Sequence, residues 1–120
     1  MTLVRLPFPP PLSACFTNAP GRGRVPTQRY KAWQDEALWE IRAQKARPIT
    51  GRVTVYARLV PPDKRNRDLG NLDKAIADIL VKAGLIEDDG SKCLRKITYE
   101  WMDEGPACTV LIQPIEEIAA

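Results

Sequence analysis

The chain has 120 residues, enough for one core and not for two, and its 44% hydrophobic and 28% charged residues are an ordinary globular balance. No apolar run approaches the roughly 18 residues that span a bilayer. Met1–Phe8 is too short for a signal peptide and prolines follow at once, so the expected compartment is the cytoplasm.

Three cysteines with no CxxC pair, and no histidine at all, exclude a four-ligand structural zinc site in a single chain. They exclude histidine-dependent nucleophiles as well. Cys15, Cys93 and Cys108 read as reduced, buried thiols. Acid–base or metal chemistry must therefore come from carboxylates, lysines and tyrosines. The net charge of +3 conceals a polar distribution. Residues 1–67 carry 13 Lys and Arg against 4 Asp and Glu, and residues 68–120 carry 5 against 11. A basic surface for a polyanion beside an acidic pocket for cations fits that switch. Solvation of two ordinary faces fits it equally.

Thr2–Phe8 alternates enough to predict a short strand, ended by Pro7, Pro9, Pro10 and Pro11. Ser13–Pro26 reads as a long Gly- and Pro-rich loop presenting Arg22 and Arg24. Thr27 suits an N-cap for an amphipathic helix over Tyr30–Ala46, with Trp33, Ala37, Ile41 and Leu38 as its apolar stripe. Arg52–Val60 is the clearest strand, closed by Pro61-Pro62. In a helix over Leu69–Ala83, Leu72, Ile76, Ile79, Leu80 and Ala83 fall within about 100° of one another, and Gly84 is a natural stop. Glu87-Asp88-Asp89-Gly90 reads as a turn, Leu94–Met102 and Cys108–Ile112 as strands, and Gly105-Pro106 as the link of a hairpin between them. The expected fold is one α+β domain over 1–120, in the order β-α-β-α-β-β. It has a mixed four-stranded sheet and two helices packed on it.

Chemistry concentrates in Arg65-Asn66-Arg67-Asp68-Leu69-Gly70-Asn71-Leu72-Asp73-Lys74 and in Glu87-Asp88-Asp89. Each acidic residue has a plain structural account. Asp68 suits an N-cap, Asp88-Asp89 a turn, and Lys74 with Asp78 an exposed i,i+4 pair of about a few tenths of a kcal/mol. Taken together they fit a hard-cation site, provided the chain after Gly84, roughly 20 Å from Asp68, turns back toward it. Such a cation polarises a phosphate and generates hydroxide from water. Lys74, one turn into the helix, then neutralises charge on the phosphoryl oxygens, and Lys64, Arg65, Arg67 and Asn71 lie where a DNA backbone is held.

This sequence resembles the RusA family of Holliday-junction resolvases, small homodimeric endonucleases that cut four-way DNA junctions symmetrically. The resemblance lies in Leu6-Pro7-Phe8-Pro9-Pro10, Gly21-Arg22-Gly23-Arg24, Tyr30, Arg67–Lys74, Lys82-Ala83-Gly84 and Asp88-Asp89. It implies Mg²⁺-dependent phosphodiester hydrolysis, with Mn²⁺ able to substitute, and no nucleotide cofactor or membrane. It puts catalysis on Asp68, Lys74 and Asp89, with Asp88 beside them. Where the family has a second aspartate, this chain has Gly70. Asp73, roughly 60° around the helix and one turn deeper, is a replacement ligand or simply a helix-boundary residue.

Two rivals to an active resolvase stand beside it. One is a junction-binding protein that has lost catalysis through Gly70. The other is a scaffold whose basic face docks an acidic protein, which lacks the steep salt dependence of phosphate contacts.

Overall fold

Residue alternation decides the sheet. In the strand Val53–Leu59, Val53, Val55, Ala57 and Leu59 are buried while Thr54, Tyr56 and Arg58 are not. In Cys108–Pro114 the buried set is Cys108, Val110 and Ile112, and in Thr2–Leu6 it is Thr2, Val4 and Leu6. The period of two puts all of these on one sheet face, the face the helices cover. Each large aliphatic side chain buried there contributes about 1.5–3 kcal/mol.

The computed structural model describes residues 1–115, so the last five residues of the expected 1–120 domain lie outside the described residues. In chain order the elements are β1 (Thr2–Leu6), α1 (Leu12–Cys15), β2 (Phe16–Ala19), β3 (Gly23–Pro26), α2 (Gln28–Ala43) and β4 (Val53–Leu59). A 3₁₀ turn at Leu69–Leu72 then leads into α3 (Asp73–Lys82), followed by β5 (Leu94–Trp101) and β6 (Cys108–Pro114). The main sheet has the order β1-β6-β4-β5 and is mixed: β4 runs parallel to β5, and β6 antiparallel to both β4 and β1. The α+β class, the mixed four-stranded sheet and the two packed helices are those expected.

Two local expectations need correction. The segment Ser13–Pro26 is not an unstructured loop. Its first residues belong to α1, and β2 and β3 form a separate antiparallel hairpin turned over Pro20–Arg22, where the Arg22 N–H donates to Ala19 O at 3.1 Å. Four residues each is too short for alternation to show, which is why composition hid these strands. Nor do β5 and β6 form a hairpin, because β4 lies between them. The 102–107 link is long enough to step over one strand. It is pinned to the end of β4 by Met102 N–H to Leu59 O at 2.8 Å and Val60 N–H to Ala107 O at 3.0 Å.

The helices follow their signals. Thr27 caps α2, accepting from the Tyr30 N–H at 3.1 Å. Tyr30, Trp33, Ala37 and Ile41 form the buried stripe of α2, and the Trp33 indole donates to Pro7 O at 3.1 Å. That bond ties α2 to the proline segment after β1. In α3 the stripe is Ala75, Ile76, Ala77, Ile79 and Leu80. Among the described residues no helix is long and apolar enough to cross a membrane. All three cysteines are free and buried, as expected.

Candidate active site

The end of α3 turns the second acidic segment back along the helix. Gly84 has φ +74°, a left-handed conformation that side chains with a Cβ disfavour. The Leu85 N–H donates to Leu80 O and the Gly84 N–H to Val81 O, both at 2.9 Å. Those are the paired bonds of a Schellman motif, which reverses the chain without leaving carbonyls unpaired. Leu85 and Ile86 are then buried, the Ile49 N–H donates to Leu85 O at 2.9 Å, and the Glu87 carboxylate accepts from the Gly51 N–H at 2.8 Å. Glu87 is therefore an anchor, and the aspartates after it stay exposed.

Lys74 stands in the first turn of α3. Its ammonium lies 2.9 Å from Asp78, one helical turn on. Its pKa is raised by the Asp78 hydrogen bond first, and also by the negative charges of Asp89 and Asp73. The contribution of Asp89 accords with a post-helix turn that heads back along α3. Asp78 in turn accepts from the Tyr30 hydroxyl at 3.4 Å. Burial first, and Asp78 second, push the Tyr30 hydroxyl up to about 12. The Phe16 ring meets Tyr30 edge-on at 5.5 Å, so the base of the β2–β3 hairpin packs behind the lysine's own support.

The other carboxylates differ in what they hold. Asp68 precedes the 3₁₀ turn in extended backbone and makes no side-chain cap bond, although the Asn71 N–H donates to its carbonyl at 3.2 Å. The N-cap account of its side chain is thus not the one realised, and the carboxylate is left exposed. Asp73 accepts from the Tyr99 hydroxyl of β5. Burial and then this bond hold the Tyr99 hydroxyl far above its usual pKa. The Asp88 carboxylate folds over its own turn, with an oxygen 2.8 Å from where a Cβ on Gly90 would stand. Among the described residues, no three His, Cys, Asp or Glu side chains are gathered as a metal-holding group. The exposed donors here are carboxylates, with no imidazole in the chain, and that chemistry suits a hard divalent cation. At Gly70 the backbone is not left-handed and nothing lies within 4 Å of an added Cβ, so an aspartate there meets neither backbone strain nor a clash at its Cβ.

The basic residues also separate. Lys64 and Arg65 are exposed on the 63–67 loop, and Arg22 and Arg24 on the β2–β3 hairpin, where the Arg24 guanidinium sits 5.1 Å over the Phe16 ring. Asn71 is exposed as well. Arg67 is already engaged. It grips Asp63 with two bonds of 2.8 and 3.0 Å and lies 5.7 Å over Phe8, which stacks on Trp101 at 6.2 Å. The Arg65 N–H donates to Asp63 at 2.9 Å as well. Arg67 and Arg65 together hold the Asp63 carboxyl well below the usual carboxylate range. Sequence reasoning missed Asp63, Phe8, Trp101, Tyr30 and Tyr99 as supports. Only Asp63 had a local signal, its four-residue spacing from Arg67; the others act across the fold.

A family model described as Endodeoxyribonuclease RusA matches residues 7–113. Among curated proteins, the crossover junction endodeoxyribonuclease RusA of Aquifex aeolicus (strain VF5) is 33% identical over 83 residues, covering 68% of this chain and 66% of that protein. Its namesake in Escherichia coli (strain K12) is 33% identical over 91 residues, and that of Enterobacteria phage 82 is 32% identical over the same length. Each of these two alignments covers 72% of both partners.

Proposed function

The chain belongs to the RusA family of endodeoxyribonucleases, and from that membership and its site we propose a Mg²⁺-dependent nuclease that resolves four-way DNA junctions as a homodimer in the cytoplasm. The observation that supports this reading is the Schellman reversal after α3, which turns the Asp88-Asp89 segment back along the helix that carries Lys74. Asp68 and Asp89, with Asp73, are the residues assigned to the metal, and Mn²⁺ is expected to replace Mg²⁺. Asp88 is a reserve donor on the same turn. When bound, the cation polarises the scissile phosphate and supplies hydroxide. Lys74, paired with Asp78, neutralises charge gathering on the phosphoryl oxygens. Arg22, Arg24, Lys64, Arg65 and Asn71 are assigned to the DNA backbone. Arg67 is assigned there too, and its guanidinium also holds Asp63 and so shapes the loop. Two cuts placed symmetrically about a junction need two sites related by a two-fold axis, hence the dimer.

Incubation of a synthetic four-way junction with Mg²⁺ or Mn²⁺ tests this. Paired nicks giving two linear duplexes support it, and an intact junction with either metal contradicts it. A second reading, binding without cutting, is favoured by two observations: Gly70 stands where the family has an aspartate, and no acidic triad is gathered among the described residues. Under it the wild type shifts the junction uncut and Gly70→Asp, for which there is room, restores cutting. A binding-only wild type that stays inert after Gly70→Asp has lost catalysis for another reason.

A further inference from the structure

Asp68 lines a cleft of about 570 Å³ together with Arg65 and Asn71, and its walls also include Pro9, Pro11, Arg29 and Asn66, which play no part in the chemistry above. Phe8, Pro9 and Pro11, from the segment after β1, give it flat apolar surface. The 63–72 segment brings the side-chain amides of Asn66 and Asn71, and Arg29 and Arg65 add positive charge. The volume lies within the ~300–1,000 Å³ usual for a small-ligand pocket, which admits one nucleotide and excludes a stacked duplex. The chemistry is equally selective. Apolar proline surface and the guanidinium plane at the end of the Phe8 stack take a base face, amides pair with base edges, and guanidiniums take the attached phosphates.

The cleft is also built in advance of any ligand. Trp101, Phe8 and the Arg67 guanidinium form a continuous stack, and the Asp63 carboxylate accepts from Arg67 and from the Arg65 backbone. Those bonds fix the 63–67 loop, so little ordering cost remains to be met on binding. No such clamp is needed merely to contact a phosphate backbone, for which a flexible basic loop suffices.

We propose that this cleft receives the base of one unpaired nucleotide next to the phosphate that is cut, and that Asn66 reads its edge. The inference rests on the junction-nuclease reading, because a four-way branch point supplies nucleotides that unpair at low cost. Asp68 lines the same cleft, so a base seated there belongs to a nucleotide adjoining the reaction rather than to a remote arm. Choice of cleavage sequence then depends on Asn66, an exposed residue outside the acidic set.

The test has two arms. In the first, 2-aminopurine replaces each nucleotide within two of the cut, one at a time, and fluorescence is read on binding Asp89→Asn protein. In the second, wild type and Asn66→Ala are given junctions with randomised bases at the branch, and the cut positions are sequenced. The expected results are brightening at a single position, and a wild-type base preference there that falls roughly tenfold in Asn66→Ala, the scale of one good base contact. Brightening at no position, or a preference unchanged by Asn66→Ala, overturns the proposal while leaving the nuclease intact. A junction neither bound nor cut by wild type overturns both.

Discussion

Neighbouring carboxylates raise the pKa of Lys74 above the ordinary lysine value. Asp78 raises its pKa by a direct hydrogen bond, and Asp89 and Asp73 add to it. A raised lysine pKa means the charged form is fully present through neutral pH and lost only as pH climbs through that value. Asp78→Asn removes the largest cause, so the alkaline limb of the cleavage rate is expected to move to lower pH while the acidic limb stays. A kcat profile from pH 6 to 11 checks this, and an unmoved alkaline limb contradicts it. At Asp63 the sign is opposite. Its pKa is depressed by Arg67 and Arg65, so its hold on the loop is present above the usual carboxylate value of 3.8 and lost as pH falls below it. Asp63→Ala should open the 63–67 loop to trypsin at Lys64, Arg65 and Arg67 at neutral pH, with the rest of the chain cut no faster. Equal digestion of variant and wild type shows that Asp63 holds nothing.

At the scale of elements, the reversal after α3 decides whether there is a site at all. Gly84→Ala forces a Cβ into the left-handed region, at about 1–2 kcal/mol, read from urea unfolding. Because the same bend turns Asp89 back along the helix that carries Lys74, junction cleavage is expected to fall by more than the lost stability explains. A variant that is destabilised yet cuts at the wild-type rate contradicts this. These elements also show how much the sequence disclosed. The stripes of α2 and α3 and the alternation of β4 were legible because one buried face imposes a period. The β2–β3 hairpin was not, because its four-residue strands are too short to show a period, and neither was the placement of β4 between β5 and β6. Strand neighbours are chosen by the whole sheet, not by the link between two strands. In the site, the residue types and their order were readable, but the occupation of Arg67 by Asp63 and of Asp73 by Tyr99 required the fold.

For the whole molecule, the core limits stability in alkali. Burial pushes the Cys108 thiol up to about 12, and burial followed by Asp78 raises the Tyr30 hydroxyl to a similar value. Groups whose pKa rises on folding cost no stability below their unfolded values, 9.0 and 10.0, and weaken the fold as pH climbs beyond them. Urea midpoints are therefore expected to hold to about pH 9 and fall steadily toward pH 12, less steeply in Cys108→Ala. A midpoint independent of pH across that window contradicts the burial argument. The charge division, net +9 before Asp68 and −6 from it onward, sets the remaining large-scale property. Junction affinity should weaken steeply with salt, and an affinity indifferent to salt would favour a protein partner instead. All of this converges on the carboxylate returned by the Gly84 bend. The most direct measurement is single-turnover cleavage of a four-way junction in Mg²⁺ by wild type and Asp89→Asn, with binding followed in parallel. The expected result is binding retained and cleavage lost by at least about a hundredfold, the scale of a removed catalytic group. Undiminished cleavage by Asp89→Asn would contradict the assignment of the site.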